Sequence, residues 1–516
     1  MRACRISRLL FVWFLSFWIH PQHVFAAQPT TAPVQLGGQR HMFIDEMMLA
    51  EIRGVTFQVH PPTPIKPVIR DEFPWENPGE YSSVIEDPAG YKMYYLSTRD
   101  GVAFVCLAIS TDGVTWEKPK LGLYEFRGSR ENNIVIWGTG TGSAYYDEYD
   151  PDPGRRYKYF TCQIGDDKPG TATTEGMVMY TSPDGIHWVK NEVQLLPFNA
   201  DSQAVFFWDP NHNKYVCYMR GNQGDVPKSR GRKVVRAETD DPLKPWPYAP
   251  SPNPFWHDHE MPYVTTELPS VLSTDDRDPE ETDVYGSQVF LYPWAYRVYL
   301  AFPTIYYHYK NERVHLSIDG RGGNAGVGEV QLCVSRDGIN WKRYPRPAYL
   351  KQGWYGESYC GWPWVLRGMF RRDDKIFQYA SLRRSGHGGR EFVQSRSREW
   401  DGFVLMHQPA DRFVAAEFDY AGGVITTEPF VFTGDRLHLN LATGATGEAR
   451  VGILQADGSA IPGFSVQDCY IINGDYQSRE VKWRSGADVS KLAARPIRLR
   501  FEMRGTRLFA FQFVPA

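Results

Sequence analysis

The sequence predicts an all-β protein, a five-bladed β-propeller followed by a C-terminal β-sandwich. Three observations predict it. A heptad, S-x-D-G-x-x-W, recurs along the chain; strand-like runs group around each copy with helix signals nearly absent; and after Trp400 the heptad gives way to short strands punctuated by Gly and Asp.

The elements follow in chain order. Arg2, Arg5 and Arg8 precede an apolar run from Leu9 to Ile19, and Val24-Phe25-Ala26 offers small residues for cleavage. Residues 1–26 therefore read as a secretory signal, its apolar run shorter than an ordinary transmembrane span. The expectation is a protein exported to the periplasm or beyond, with no membrane segment after cleavage. Residues 27–75 form an N-terminal arm.

The propeller is assigned to residues 76–408. Its heptads are Ser110-Thr111-Asp112-Gly113-Val114-Thr115-Trp116, Ser182-Pro183-Asp184-Gly185-Ile186-His187-Trp188 and Ser335-Arg336-Asp337-Gly338-Ile339-Asn340-Trp341. Degenerate copies end at Trp246 and Trp400, which makes five units. Asp-Gly marks a tight turn, because Gly accepts positive φ and Asp bonds nearby amides. Each heptad is thus a hairpin between the two outer strands of a blade, and its Trp is expected to be buried between blades. Two further strand-like runs lie upstream of each copy, such as Tyr81 to Ile85 and Tyr91 to Ser97 in the first. Four strands per unit, repeated radially, make a propeller blade. Residues 411–516 carry short strands without the heptad, as in a β-sandwich, with one short helix expected near Asp488 to Ala494.

Composition narrows the partners. A formal charge of -3 gives no electrostatic signature of nucleic acid. Aromatic residues make up 15% of the chain, including 16 Trp and 30 Tyr; they pack well on pleated strands and also offer flat faces to sugars. Cys106, Cys162, Cys217 and Cys333 each sit in an apolar run and read as structural thiols.

The five units, their heptad turns, the signal and the trailing sandwich resemble the arabinanase, invertase and levansucrase superfamily, glycoside hydrolase families 43, 32 and 68, in an exported planctomycete-type form. That resemblance implies a carbohydrate substrate, no organic cofactor, and a site at one end of the channel. There, acids at the start of each innermost strand converge. Carried over position by position, it points to Glu80 in the first blade, Asp201 in the third, Asp283 in the fourth and Glu357 in the fifth. The second blade has Gly142-Ser143 at that place. Asp201 and Glu357 are the leading catalytic candidates, with Glu80 and Asp283 in support. The first-blade Asp of arabinanases is replaced by Glu80 unless Asp45 takes that role, on a strand that would enter the channel or close the last blade. Tyr81, Gln203, Tyr285, Arg220 and Arg383 are the candidate substrate contacts. The W-x-N-D-P-N-G and E-C motifs of invertases are absent. A calcium ion in the channel occurs in the superfamily, and no spacing here marks ligands for one.

Other constellations read more plainly. His257-Asp258-His259-Glu260 lacks partners at metal-ligand spacing, so no metal site is assigned. Gly320-Arg321-Gly322-Gly323 lacks the strand and helix context of a nucleotide loop. Lys228, Arg230, Arg232, Lys233 and Arg236, with Arg371, Arg372, Arg383, Arg384, Arg390, Arg396 and Arg398, form basic clusters. They are a solvated rim or a surface for an anionic glycan. The expected activity is glycoside hydrolysis through paired carboxylates. The alternatives are a non-catalytic carbohydrate-binding propeller, a sialidase-like activity and a glycoside phosphorylase.

Overall fold

The computed structural model describes residues 32–164, 174–222, 231–249, 266–308, 325–352, 361–383, 386–387 and 402–516. Among them the chain is built almost wholly from strands, with two 3-10 turns at Pro153–Arg155 and Ser490–Leu492. The second turn stands where a short helix was expected.

Blade one runs through Pro78–Asp87, Gly90–Arg99, Val102–Ser110 and Ile134–Trp137. Blade two has Gly142–Tyr146, Tyr157–Ile164, Thr174–Ser182 and Val189–Lys190; blade three has Val205–Asp209, Lys214–Asn222, Arg232–Thr239 and Ser270–Leu272. All are antiparallel meanders. In blade four the first two strands are interrupted, as Thr282–Val284 with Val289–Tyr292 and as Val298–Ala301 with Thr304–His308. Pro303, which has no N–H to give the ladder, sits at the second break. Gly326–Ser335 and Lys342–Leu350 complete that blade.

Blade five contributes Trp362–Arg372, Lys375–Arg383 and Phe403–Pro409. Its fourth strand comes from the arm, where Thr63–Ile69 pairs antiparallel with Phe403–Pro409. A parallel bridge from Arg367 to Ser83 then joins blade five to blade one and closes the ring. The arm's earlier strands belong to the sandwich: Val34–Gly37 pairs with Phe430–Phe432, Leu49–Arg53 with Gly423–Thr427, and Val55–Val59 with Val414–Phe418. The sandwich is anchored by two long strands, Arg436–Gln455 and Ile497–Val514, where the sequence suggested shorter pieces. Met42, Ile44, Phe413, Val414 and Ala510 share one buried cluster with side chains of blades four and five, so sandwich and propeller pack without a solvent gap.

The heptads act as joints between blades. In each, the Ser hydroxyl accepts from the Gly amide at 2.9 Å, and one Asp oxygen accepts from the next two amides at 2.7–2.9 Å. Each Gly adopts positive φ, between 67° and 74°. Its carbonyl accepts a hydroxyl from a tyrosine of the preceding blade: Tyr379 to Gly113 at 2.6 Å, Tyr94 to Gly185 at 2.8 Å, Tyr218 to Gly338 at 2.8 Å. The heptad Trp stands edge-on to that same tyrosine. Trp116, Trp188 and Trp341 are only half-buried, so the expectation that they are buried between blades is corrected: the buried members of the motif are its serine and its glycine. The degenerate third copy reverses this. Trp246 is fully buried against Phe160 of blade two.

Candidate active site

Innermost strands start at one face of the ring and end at the other, and the heptad turns lie at the ending face. Three of the four carboxylates expected at the starting face are found there. Glu80 lies where the pairing of Pro78–Asp87 with Gly90–Arg99 slips between Pro78 and Ser82, a bulge of the kind that re-aims a side chain. Asp201 sits on a tight turn with φ of 52°, a left-handed conformation that Asp tolerates better than most residues. Its amide donates to Asn199 Oδ1 at 2.9 Å. Asp283 falls in the interrupted inner strand of blade four and is completely buried.

Two arginines tie these acids to a pair of tyrosines. Arg220 Nη2 lies 2.6 Å from Asp201 Oδ2, and its guanidinium lies 5.8 Å from the Tyr285 ring centre. Arg232 Nη1 donates to Asp283 Oδ2 at 2.8 Å and lies 5.2 Å from the same ring. Such charge-assisted bonds are short and directional. His308 Nε2 makes a second 2.8 Å contact with Asp283 Oδ2, and its ring centre lies 3.9 Å from that of Tyr306, tilted by 35°. Tyr81 and Tyr285 approach hydroxyl to hydroxyl at 3.4 Å. His387 bridges Tyr285 and Tyr306 at 3.2 and 3.3 Å. Trp362 and Trp364, both fully buried, form the floor beneath.

The electrostatics separate the roles. Burial, reinforced by Tyr285, Glu80 and Asp201, holds the Tyr81 phenol well above its ordinary range. Burial also raises Tyr285, with Arg220 opposing and Asp201 adding to the rise. Both tyrosines are therefore neutral hydrogen-bond donors at neutral pH. Asp283, clamped by Arg232 and His308 and shut away from solvent, is a positioning group. Asp201 differs: its side chain is 47% exposed while its partner Arg220 is buried. Of the three, Asp201 presents a carboxylate to an incoming molecule.

The remaining candidates distribute as follows. Glu357 and the side chain of Arg383 lie outside the described residues, as do His257 to Glu260, Gly320 to Gly323, Lys228, Arg230, Arg384, Arg390, Arg396 and Arg398. Gln203 is corrected from substrate contact to structural belt. It is fully buried, donating to Ser82 O at 3.2 Å and Gly142 O at 2.8 Å and accepting from Gln288 at 2.9 Å. Ser287 Oγ donates to Gln203 O and Tyr218 O, and the Ala144 amide to Ser83 Oγ, so the belt spans four blades across the channel.

Asp45 is corrected as well. It forms an ion pair at 3.0 Å with Arg336 of blade four's heptad, at the opposite face, and the strand that closes the last blade is Thr63–Ile69 instead. Among the described residues, members of the two basic clusters stand at different faces. Arg232 is at the acid face, whereas Arg372 donates to Asp112 O in a heptad turn at the other. The tripeptide Arg277-Asp278-Pro279 precedes the inner strand of blade four. Its Asp278 is buried between Arg343, at 2.7 Å, and Arg346, at 2.9 Å, on the outer strand of blade four.

Sequence reasoning missed His308, His387 and Tyr306, and read Arg232 only as part of a basic cluster, either a solvated rim or a surface for an anionic glycan. The signals available were Tyr306-Tyr307-His308, ending a strand beside the Asp283 strand, and a His between glycines at Gly386-His387-Gly388. Among the described residues no group of three or more His, Cys, Asp and Glu could hold a metal ion.

No protein-family model matches the chain, and no curated protein matches it in sequence. Solved structures resemble it at low identity. One is described as a glycoside hydrolase, at 12% identity and a TM-score of 0.42 over 68% of this chain and 93% of that one. Another is an N-acetylgalactosamine deacetylase from F. plautii in complex with blood group B trisaccharide, at 13% identity and a TM-score of 0.41 over 69% and 96%. A third comes from a mannoside phosphorylase family containing glycoside hydrolases that target β-1,2-mannosidic linkages in Candida mannan, at 14% identity and a TM-score of 0.42 over 70% and 97%. The chemistry of this chain rests on its own residues.

Proposed function

We propose that the protein is a carbohydrate-active enzyme that cleaves glycosidic bonds at the acid-bearing mouth of the propeller, after export from the cell. The observation that carries this reading is convergence. Acids from three blades, Glu80, Asp201 and Asp283, all bear on the same tyrosine pair, and one of them is exposed. Glycosidic cleavage needs a carboxylate on each side of the bond, one as acid and one as nucleophile or base. Asp201 takes the second part, since its short side chain is fixed by Arg220 and open to solvent. Glu357, from the fifth blade, is the leading partner as acid, with Glu80 as its alternate. The neutral hydroxyls of Tyr81 and Tyr285 supply hydrogen bonds to sugar oxygens, and the buried aromatic floor keeps the mouth rigid.

The test is a panel of neutral and anionic oligosaccharides, incubated with and without inorganic phosphate, with products resolved as free sugars or sugar phosphates. Free reducing sugars, lost in Glu357→Gln or Glu80→Gln, support hydrolysis. Sugar phosphates formed only with phosphate would move the reading to a phosphorylase. Binding without turnover on every member would make the propeller a carbohydrate-binding protein and overturn the enzymatic reading.

A further inference from the structure

The belt through Gln203 and Gln288 divides the channel, and the far side of it holds a second cavity. This space, of about 540 Å³, is formed by the ending halves of the innermost strands. Its volume falls within the roughly 300–1,000 Å³ typical of small-molecule clefts. Aromatic side chains make much of its wall, among them Tyr145, Tyr149, Phe207, Trp208 and Trp294. Along the strand at about 3.3 Å per residue, Trp208 lies roughly 10 Å beyond Val205, which itself follows the Asp201 turn. The two mouths are separate places.

Two cations line this aromatic cup, Arg297 and Arg367. Arg367 lies on the innermost strand of blade five, where the pairing with the next strand slips between Val365 and Met369. The slip is accommodated by Gly368, with φ of 132°, where an added Cβ would run into the backbone of Val84. The backbone is thus bent at the residue that follows the arginine. The Arg367 guanidinium lies 5.6 Å from the Phe207 ring centre and 6.0 Å from that of Tyr145. It donates one hydrogen bond, from Nη2 to Phe206 O at 2.9 Å, and among the described residues no carboxylate pairs with it. Its Nε is buried without a hydrogen-bond acceptor. Burial lowers its pKa to about 10, so it stays charged at neutral pH. Two ring faces and one carbonyl replace only part of the hydration that a guanidinium gives up. A leucine or methionine would fill a purely structural position without that loss.

We propose that this far mouth is a second binding site, for a small carboxylate-bearing sugar whose carboxylate meets Arg367 and whose ring lies against the aromatic wall. A guanidinium matches a carboxylate through two parallel hydrogen bonds. Glu86 and Glu148 stand among the lining residues with Asn211 and Arg297. The two carboxylates suit hydroxyl groups and disfavour an anion of higher charge such as phosphate.

The probe is glucuronate, titrated calorimetrically into the full-length mature protein, with glucose, acetate and inorganic sulfate alongside. The expected result is one site for glucuronate, weakened about tenfold or more in Arg367→Leu and unchanged within about twofold in Asp201→Asn. Glucose and acetate should each bind at least about tenfold more weakly, since each carries only half of the recognised chemistry. Acetate or sulfate binding as tightly as glucuronate would reduce the site to a bare anion pocket and overturn the sugar assignment. Glucuronate binding that survives Arg367→Leu but fails in Asp201→Asn would place the ligand in the other mouth. Absence of binding at millimolar concentration would overturn the site altogether. Should Arg367→Leu fail to fold, Tyr149→Ala at the exposed rim serves instead, and unchanged affinity there counts against the proposal.

Discussion

Replacing Gly185 by alanine attacks the joint between blades one and two at its tightest point. Gly185 has φ of 74°, a conformation that costs an L side chain ~1–2 kcal/mol. The new Cβ would collide with the Tyr94 hydroxyl and stand 2.9–3.0 Å from the Tyr157 ring. Overpacking of this kind costs ~1–3 kcal/mol. Tyr94 must also give up its 2.8 Å bond to the Gly185 carbonyl, a loss of ~0.5–1.5 kcal/mol. One displacement of Tyr94 both relieves the clash and breaks the bond, so the last two contributions overlap and the expected loss is about 3–4 kcal/mol. Gly101→Ala provides the control. Its φ is 79°, yet nothing lies within 4 Å of an added Cβ, so only the backbone cost of about 1 kcal/mol should be seen. The assay is urea unfolding followed by tryptophan fluorescence, comparing midpoints at equal slope. Equal losses in the two variants would refute the account of the heptad as an inter-blade staple.

Other outcomes are expected with it. Trp246→Ala should destabilise more than Trp116→Ala, because the first side chain is fully buried and the second only half; the reverse order in thermal melts would contradict the packing described. Acid should loosen the heptad turns. The backbone amides of Thr115 and Val114, against a smaller opposing effect of burial, hold Asp112 at about 2, and Asp184 and Asp337 are lowered too. A carboxylate whose folded value lies below its unfolded one, ~4, stabilises above that value and loses the contribution as pH falls toward 2. The urea midpoint should therefore be insensitive to these groups above about pH 5 and drop between about pH 4 and pH 2; an unchanged midpoint across that window would be inconsistent with ionised turn aspartates. Export predicts a mature chain beginning near Ala27, and N-terminal sequencing of secreted material that still carries residues 1 to 20 would refute it.

The legibility of this chain varied with how local each signal was. The heptad is a self-contained turn whose Ser, Asp and Gly bond one another, so its residues could be read in place. Its tyrosine partner was invisible, because Tyr94 lies 91 positions from Gly185 and belongs to another blade. The same limit explains the ring closure. Thr63–Ile69 reads as an arm in sequence and becomes a blade strand only through its pairing with Phe403–Pro409. Glu80, Asp201 and Asp283 were legible since position at the start of an inner strand is repeated from blade to blade. Gln203 shared that position and misled, for the innermost strand turns some side chains toward solvent at the mouth and others into the belt. Asp45 misled for another reason: an acid after an apolar run resembles a channel carboxylate until Arg336, 291 positions away, is found against it.

The central claim is that chemistry occurs at the mouth carrying Asp201. Asp201 and Asp45 make a matched comparison, since each is a partly exposed aspartate paired with an arginine, at opposite faces of one propeller. On the substrate found by the oligosaccharide panel, kcat/KM should fall by at least about a hundredfold in Asp201→Asn, the loss expected for a reacting carboxylate. Asp45→Asn should stay within about twofold of the parent enzyme. Parent-level turnover in Asp201→Asn, or a larger loss in Asp45→Asn with both proteins folded, would contradict the claim and move the active site to another place on the molecule.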